Sequence, residues 1–318
     1  MRCITSSILV SVLVPLACSA APAQVPQTSV ARSPSWWVRV SGRGESAIRV
    51  SADGKRTQRC DALPGRDALP TLDGKRWVKQ GFPVRRKRAE LMIGELGADA
   101  RRFTTNPDSD DAMPAWSPRG DALAWCRRDA KKRWQVHFQP LDAAEARILT
   151  KFEGNVVEPV LSGTGLIAWI ERPIPKRFMK MPPGNVVLSS LDGKTRHVIG
   201  TLGSFMDLGF SPDGKLLMVH RPAALDFYDV ATRRKVRTFD LTEIPQVGWA
   251  HGAWRVAWRP DSRAFACRIT FLGGRMEGTE IYGDHQIFLF SLDPNTKPLA
   301  VTLPDEFEHH RVLFWERR

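Results

Sequence analysis

Apolar residues along this chain come in short runs of three to six, each cut off by a polar turn. The stretch from Phe205 to Phe239 shows the pattern most fully. Leu208 to Phe210, Leu216 to Val219, Leu225 to Val230 and Val236 to Phe239 read as four successive strands. The first two are joined by Ser211-Pro212-Asp213-Gly214, where proline presets φ for the bend and glycine takes the positive φ that a side chain resists. Such a unit is apolar on both faces and cannot stand alone. Its pattern predicts neighbouring copies that cover each face.

The copies are present. The turn recurs as Ser117-Pro118-Arg119-Gly120 after Ala115-Trp116, as Ser162-Gly163-Thr164-Gly165 after Val160-Leu161, and as Arg259-Pro260-Asp261-Ser262 after Ala257-Trp258. Thr71-Leu72-Asp73-Gly74 is a weaker copy. Successive copies are spaced 46, 45, 49 and 48 residues apart. Strands repeated at that interval predict an all-β fold, a β-propeller with one blade per repeat. A second hairpin, between the third and fourth strands, is marked by Leu191-Asp192-Gly193-Lys194 and by Ala52-Asp53-Gly54-Lys55.

The N-terminal unit, Trp36 to Val40, Ala47 to Val50 and Thr57 to Cys60, has the second, third and fourth strands of a blade but no first. The far end of the chain supplies a candidate. Arg311-Val312-Leu313-Phe314 resembles Arg255-Val256-Ala257-Trp258, a first strand. Five whole repeats and one blade shared by the termini predict six blades, closed by a C-terminal strand that removes the exposed sheet edges.

Trp116-Ser117-Pro118, Phe210-Ser211-Pro212-Asp213-Gly214-Lys215, Trp258-Arg259-Pro260-Asp261 and the later strand Gln286 to Asp293 resemble the repeats of TolB-like, WD-repeat-like β-propellers. The resemblance covers the chain from about Trp36 to the end. It implies the fold rather than an activity, because its motif residues belong to turns and core. TolB itself has an α/β domain ahead of its propeller, and only a leader precedes this one.

Ahead of the repeats, residues 1–23 carry Arg2, an apolar run from Ile8 to Ala17 and the small residues Ala21-Pro22-Ala23, which reads as a secretory signal. Cleavage after Ala20 or Ala23 is the main reading, and lipid attachment at Cys18 is the lesser alternative. Residues 24–35 read as a flexible leader, and residues 36–318 as one propeller domain. No later run approaches the twenty apolar residues of a membrane-spanning helix. The expected location is therefore periplasmic or secreted. Cys60, Cys126 and Cys267 then remain, an odd number in predicted strands, and read as small buried hydrophobes.

Catalytic signals are few. There is no Gly-x-Ser-x-Gly elbow and no glycine-rich phosphate loop. Of the histidines, His137, His197, His220, His251, His285, His309 and His310, the first two lie in predicted strands and His220 ends one, which reads as packing or surface, and a metal site is the lesser alternative only for His251, His309 and His310. Of these, His251 and the pair His309-His310 precede innermost strands and sit nearest the expected axis. No cofactor, metal or catalytic residue is assigned. Most of the eleven tryptophans read as packing between blades, with Trp249 and Trp254 in a connector as exceptions.

Charge changes the picture more. The formal net charge is +13, and the excess gathers in the connectors expected on one face. These hold Arg85, Arg86, Lys87 and Arg88, then Lys131, Lys132 and Arg133, then Lys176, Arg177 and Lys180. One reading is a solvated basic rim. The other is a docking surface for an envelope or extracellular protein or an anionic polymer. Export disfavours nucleic acid as the partner. Four residues before each turn, the innermost strands carry Asp67, Met113, Glu158, Asp207 and Arg255, and Arg311 aligns with Arg255. Charges crowded around a narrow funnel require pairing, hydration or a ligand. Arg255 and Arg311 are expected to grip an anion bidentately there, oriented by Asp67, Glu158 and Asp207. The function expected is a binding scaffold; the alternative is a lyase or hydrolase with its site in the funnel.

Overall fold

The computed structural model describes residues 36–41, 46–53, 55–61, 68–81, 88–105, 108–174, 182–203, 207–221, 223–244, 249–272, 276–277, 280–281, 285–301 and 311–317. Six four-stranded antiparallel sheets make a six-bladed β-propeller. Blade 1 combines β1 (Trp36–Ser41), β2 (Ser46–Ser51) and β3 (Thr57–Asp61) with the last strand, β26 (Arg311–Arg317). Blade 2 holds β4 (Leu69–Pro70), β5 (Arg76–Gly81), β6 (Glu90–Glu95) and β7 (Arg101–Arg102). In blade 3 are β8 (Asp111–Trp116), β9 (Ala122–Arg128), β10 (Trp134–Pro140) and β11 (Arg147–Ile148); in blade 4, β12 (Asn155–Leu161), β13 (Leu166–Arg172), β14 (Gly184–Ser190) and β15 (Arg196–Leu202). Blade 5 comprises β16 (Leu208–Phe210), β17 (Leu216–Arg221), β18 (Ala224–Asp229) and β19 (Lys235–Asp240). Blade 6 comprises β20 (Trp249–Trp258), β21 (Ala264–Leu272), β24 (His285–Ser291) and β25 (Leu299–Val301), with the small hairpin β22 (Met276–Glu277) and β23 (Glu280–Ile281) between its second and third strands. Residues 1–35, the predicted signal and leader, lie outside the described residues.

Closure is as the repeats predict. β26 pairs antiparallel with β1, Trp36 opposite Arg317 and Ser41 opposite Arg311. It also touches β20 on one side and β4 on the other, which completes the inner ring. A sheet that would otherwise end in an open edge is thereby finished by the opposite end of the chain.

The double-sided apolar pattern is explained by what fills the seams. One core cluster, with Met218, Phe227, Trp258, Phe265, Phe288 and Phe290, joins blades 5 and 6. A second, with Ile48, Val50, Ala266, Ile287 and Leu289, joins blade 6 to blade 1. Similar clusters join blades 3 and 4, 4 and 5, and 2 and 3. Phe265 and Phe290 stack with centroids 4.8 Å apart and planes 5° from parallel. Blades 3 to 6 thus bury both faces against their neighbours, at roughly 25 cal/mol per Å² of apolar surface removed from water. Cys126 and Cys267 are buried in this core, and burial pushes both thiols well up from their usual range, with the charge of Glu158 adding to the first and that of Asp207 to the second.

The repeated turns share one hydrogen-bond device. Ser211 Oγ donates to Asp213 Oδ1 at 2.6 Å and accepts from the Leu216 amide at 2.9 Å, while Asp213 Oδ1 accepts from the Lys215 amide at 3.1 Å. Gly214 takes φ +70°, and a Cβ there would lie 2.9 Å from Thr164 Cγ2 of the blade before. Glycine is required twice over, for conformation and for approach. In blade 6 the left-handed place falls to Ser262, at φ 60°, and its hydroxyl accepts from the Asp213 amide at 3.0 Å.

Candidate functional site

Every innermost strand runs from the connector face, where chain enters from the preceding blade, to the hairpin face, where the Ser-Pro-Asp-Gly turns lie. The predicted ring of charges belongs to the connector half of these strands. There the ladders are bulged: β8 skips between Ala112 and Ala115, β12 between Val157 and Val160, and β20 between Trp254 and Ala257. Met113 and Glu158 sit at the same bulge place in adjacent blades and both take φ 52°. A non-glycine residue in the left-handed region costs of order 1 kcal/mol or more, held here by the ladders on either side.

The ring residues are placed differently from one another. Met113 packs against the apolar seam between blades 3 and 4. Glu158 is half-buried, and its charge partly offsets the lowering that burial imposes on the Arg172 guanidinium. Asp207 is also half-buried, immediately before β16, and its carbonyl accepts from the His220 amide at 2.9 Å. Asp67 lies outside the described residues, and for Arg255 and Arg311 the backbone alone is described.

The ladder also corrects the alignment of the closing strand. Trp315 faces Val38 as Trp258 faces Phe265. Val38 and Phe265 are equivalent because each lies two residues beyond a carbonyl that accepts from the adjoining hairpin, Trp36 O from the Ala52 amide and Arg263 O from the Leu292 amide. Val312 therefore holds the place of Arg255, and Arg311 holds that of Trp254. The short likeness of Arg-Val-Leu-Phe to Arg-Val-Ala-Trp is one residue out of step with the hydrogen bonding, a slip that matters because side chains alternate faces.

Of the basic connectors, residues 85–87 and 176, 177 and 180 lie outside the described residues, and Arg88 is exposed. The hairpin between β9 and β10 is described in full. Arg133 is held: its Nε and Nη2 each lie 2.8 Å from Asp129 Oδ2, and its Nη1 2.5 Å from Glu153. These bonds keep the Asp129 carboxyl below its usual range although burial works the other way. Lys131 and Lys132 form the exposed tip, with Lys132 at φ 61°.

Sequence reasoning missed a set of buried acids within the blades. Asp111, with no exposed side-chain surface, accepts from Arg127 Nε at 2.6 Å and Nη2 at 2.9 Å and from Trp125 Nε1 at 3.0 Å. His137 stacks on Trp125, centroids 5.7 Å apart, and burial, helped by the Arg127 charge and opposed by Asp111, lowers it to about 4. Asp226 in blade 5 accepts from Arg221 Nε at 2.5 Å and Nη2 at 3.1 Å and from Thr238 Oγ1 at 2.6 Å. The available signal was an acid inside an apolar run, as in Leu225-Asp226-Phe227. These groups are satisfied by one another, which marks them as structural.

The hairpin half of the axis has a different character. Five innermost strands and their turns, from blades 2 to 6, border an open pocket of about 240 Å³, with no charged residue among its described lining residues. Among the described residues no cluster of three or more His, Cys, Asp or Glu side chains is placed to hold a metal ion. Among those residues, too, no helix is long and apolar enough to cross a membrane.

Fold and closure define a six-bladed β-propeller. The chain is similar in structure to TolB from Acinetobacter baumannii, at TM-score 0.57 and 13% identity over 89% of this chain, spanning 66% of that protein. A chain of the nidogen/laminin complex matches at the same TM-score of 0.57 and 12% identity, over 89% of this chain and 97% of the other. Hydrazine synthase from Kuenenia stuttgartiensis follows at TM-score 0.51, 13% identity, 77% of this chain and 68% of that one. No family model matches the sequence, and no curated protein does. At such identities the likeness carries the fold alone.

Proposed function

We propose that this chain is an exported binding scaffold that docks a protein or an anionic polymer of the cell envelope or exterior on its basic connector face, with the axial mouth of that face as part of the site. The observation that supports it best is the contrast within the described basic hairpin. Arg133 is committed to Asp129 and Glu153, whereas Lys131 and Lys132 are carried outward on a tip held in the left-handed region. Arg88 is likewise exposed. Positive charge gathered on one face speeds encounter with an anionic partner and makes binding sensitive to salt. Glu158, Asp207 and Arg255, with Asp67, and with Arg311 one residue away from the place equivalent to Arg255, would border the mouth. Propellers serve this role because the blades form a rigid frame while the connectors vary.

Replacing Arg85, Arg86, Lys87 and Arg88 by glutamine, alone and together with Lys131→Gln and Lys132→Gln, tests the reading. Folding is expected to be intact, since exposed charges contribute little to stability. Capture of heparin, as a model polyanion, and of envelope proteins by the mature domain is expected to weaken and to lose its salt dependence. Unchanged capture at low salt would leave the basic connectors as a solvated rim only.

A further inference from the structure

We infer that the hairpin face carries a peptide site at the seam between blades 3 and 4, a radial groove for an extended segment with apolar side chains two residues apart. It lies at the opposite ends of the strands from the basic connectors and uses none of their residues.

The groove follows from one missing residue. In blades 2, 3, 5 and 6 the turn after the first strand is closed by an amide that donates to the carbonyl five residues on: Thr71 to Arg76, Ser117 to Ala122, Ser211 to Leu216 and Arg259 to Ala264. In blade 4 the Ser162 amide donates to Leu166, four residues on. The longer turns reach back to the blade before them. A Cβ on Gly120 would lie 2.8 Å from Thr71 Cγ2, one on Gly214 would lie 2.9 Å from Thr164 Cγ2, and Ser262 Oγ accepts from the Asp213 amide at 3.0 Å. The short turn does not reach back in this way. Gly165 takes its left-handed place at φ +81°, and a Cβ there would meet nothing within 4 Å. Nearer the axis the two turns do approach, with a Cβ on Gly163 lying 3.9 Å from Pro118 Cβ, so the gap opens outward from that point.

The gap is an open pocket of about 690 Å³, within the range of about 300 to 1,000 Å³ that holds organic ligands. Its hairpins, in blades 3 and 4, all belong to the described residues. Buried Phe138 and Leu161, both part of the core between these blades, form the floor. Half-buried Pro118, Pro140, Leu141 and Leu191 present the apolar surface that a ligand can reach. Pro118 belongs to the inner hairpin of its blade, whereas Leu141 and Leu191 belong to the outer hairpins, so the trough runs radially. Hairpin to hairpin is two strand spacings, roughly 10 Å, which three extended residues span at about 3.3 Å each. Side chains of such a segment alternate, so the first and third reach the apolar walls while the second leans out. At the rim, Arg119 and Asp121 lie 3.2 Å apart with side chains 80% and 53% exposed. An exposed pair of this kind is weakly held, and it offers donors and acceptors together to the N–H and C=O groups of a peptide. The charged residues among the described lining are Arg76, Arg119, Asp121 and Asp142, which balance. A polyanion therefore gains nothing here, in contrast to the connector face.

The test titrates the full chain with N-acetyl-Leu-Ser-Leu amide and with N-acetyl-Ser-Ser-Ser amide, and reads the Gly165 and Leu191 amide resonances, assigned by triple-resonance spectra. The leucine peptide is expected to shift both saturably and to bind about tenfold tighter than the serine peptide, as partial burial of two leucines implies. Heparin should leave those shifts in place. Replacing residues 162–165 by Ser-Pro-Asp-Gly-Lys gives blade 4 the longer turn of blade 5, and should close the gap and abolish binding. Leu191→Gln, which leaves the turn alone, should weaken binding about threefold or more. If neither resonance moves up to the solubility limit of the leucine peptide, or if the two peptides bind alike, the site does not exist. The wild-type titration decides this even where a variant fails to fold. Displacement of the peptide by heparin would assign it to the basic connectors instead, and undiminished binding in a folded long-turn variant would overturn the role given to the short turn.

Discussion

At the scale of single residues, the buried carboxylates of Asp111 and Asp226 are each tied to donors of their own blade. Asp111 is the sharpest case, since it is fully enclosed and takes three donors from Arg127 and Trp125. Removing one partner of such a pair leaves a charge stranded in low dielectric. Arg127→Leu is therefore expected to destabilise by about 3–5 kcal/mol, whereas the double change Arg127→Leu with Asp111→Leu should recover much of the loss. Denaturant midpoints of the three proteins give the comparison, and equal losses in single and double variants would refute the pairing. His137 and His220 give a pH dependence of definite sign. Burial, the leading cause for both, lowers each from 6.5 to about 4, so the folded state keeps them neutral while the unfolded chain protonates. A depressed value means stability that is whole above 6.5 and lost as pH falls toward 4, at up to about 1.4 kcal/mol per pH unit for each group. Thermal midpoints from pH 7.5 to 4.5 should fall less steeply in His220→Leu than in the parent; parallel curves would show that His220 is not protonated on unfolding in that window.

At the scale of elements, the hairpin turns were legible and the bulges were not. Ser211, Asp213 and Gly214 announce their hydrogen bonds by residue type, and the same three roles recur in Thr71, Asp73 and Gly74, where Thr71 Oγ1 donates to Asp73 at 2.6 Å. The left-handed bulge at Met113 and Glu158 has no such sign, because neither residue favours that region and only the ladder imposes it. This is why the ring of candidate charges could be listed from sequence but not arranged. Arg311 shows the same limit, since its resemblance to Arg255 rests on side chains while the ladder counts residues from Trp36. A further share of the basic excess also lies on outermost strands, at Arg101 and Arg102 in β7, Arg147 in β11, Arg196 in β15 and Lys235 in β19. There a positive edge discourages pairing with another sheet, a structural use of charge that composition does not separate from docking. The closing strand is the element whose loss costs most. Deleting residues from Glu308 onward removes the partner of β1 and uncovers one side of the seam clusters. Loss of cooperative melting or aggregation is the expected outcome, and a truncated protein that melts like its parent would refute the clasp.

At the scale of the molecule, one periodicity accounts for the architecture. The spacing of the turns determines blade number because each repeat must cover the next, so the fold was legible almost entirely. The partner was not, because connectors answer to whatever they meet rather than to the repeat. The clasp has a consequence for time as well as for stability. Trp36 and Arg317 are neighbours in one sheet although nearly the whole propeller lies between them in the chain. Pairings so remote in sequence are reached slowly, because the entropy of closing the loop is lost before any contact repays it. Moving residues 311–317 ahead of Trp36 through a short linker would turn this pairing into a local hairpin. Such a permutant is expected to refold faster than the parent while unfolding at a similar rate, as stopped-flow tryptophan fluorescence would report; equal refolding rates would mean that the ring closes after the slow step rather than in it. In the native order, no chain still emerging from a ribosome can complete its first blade until residues 311–317 are free, and the ring is open for the whole of its synthesis.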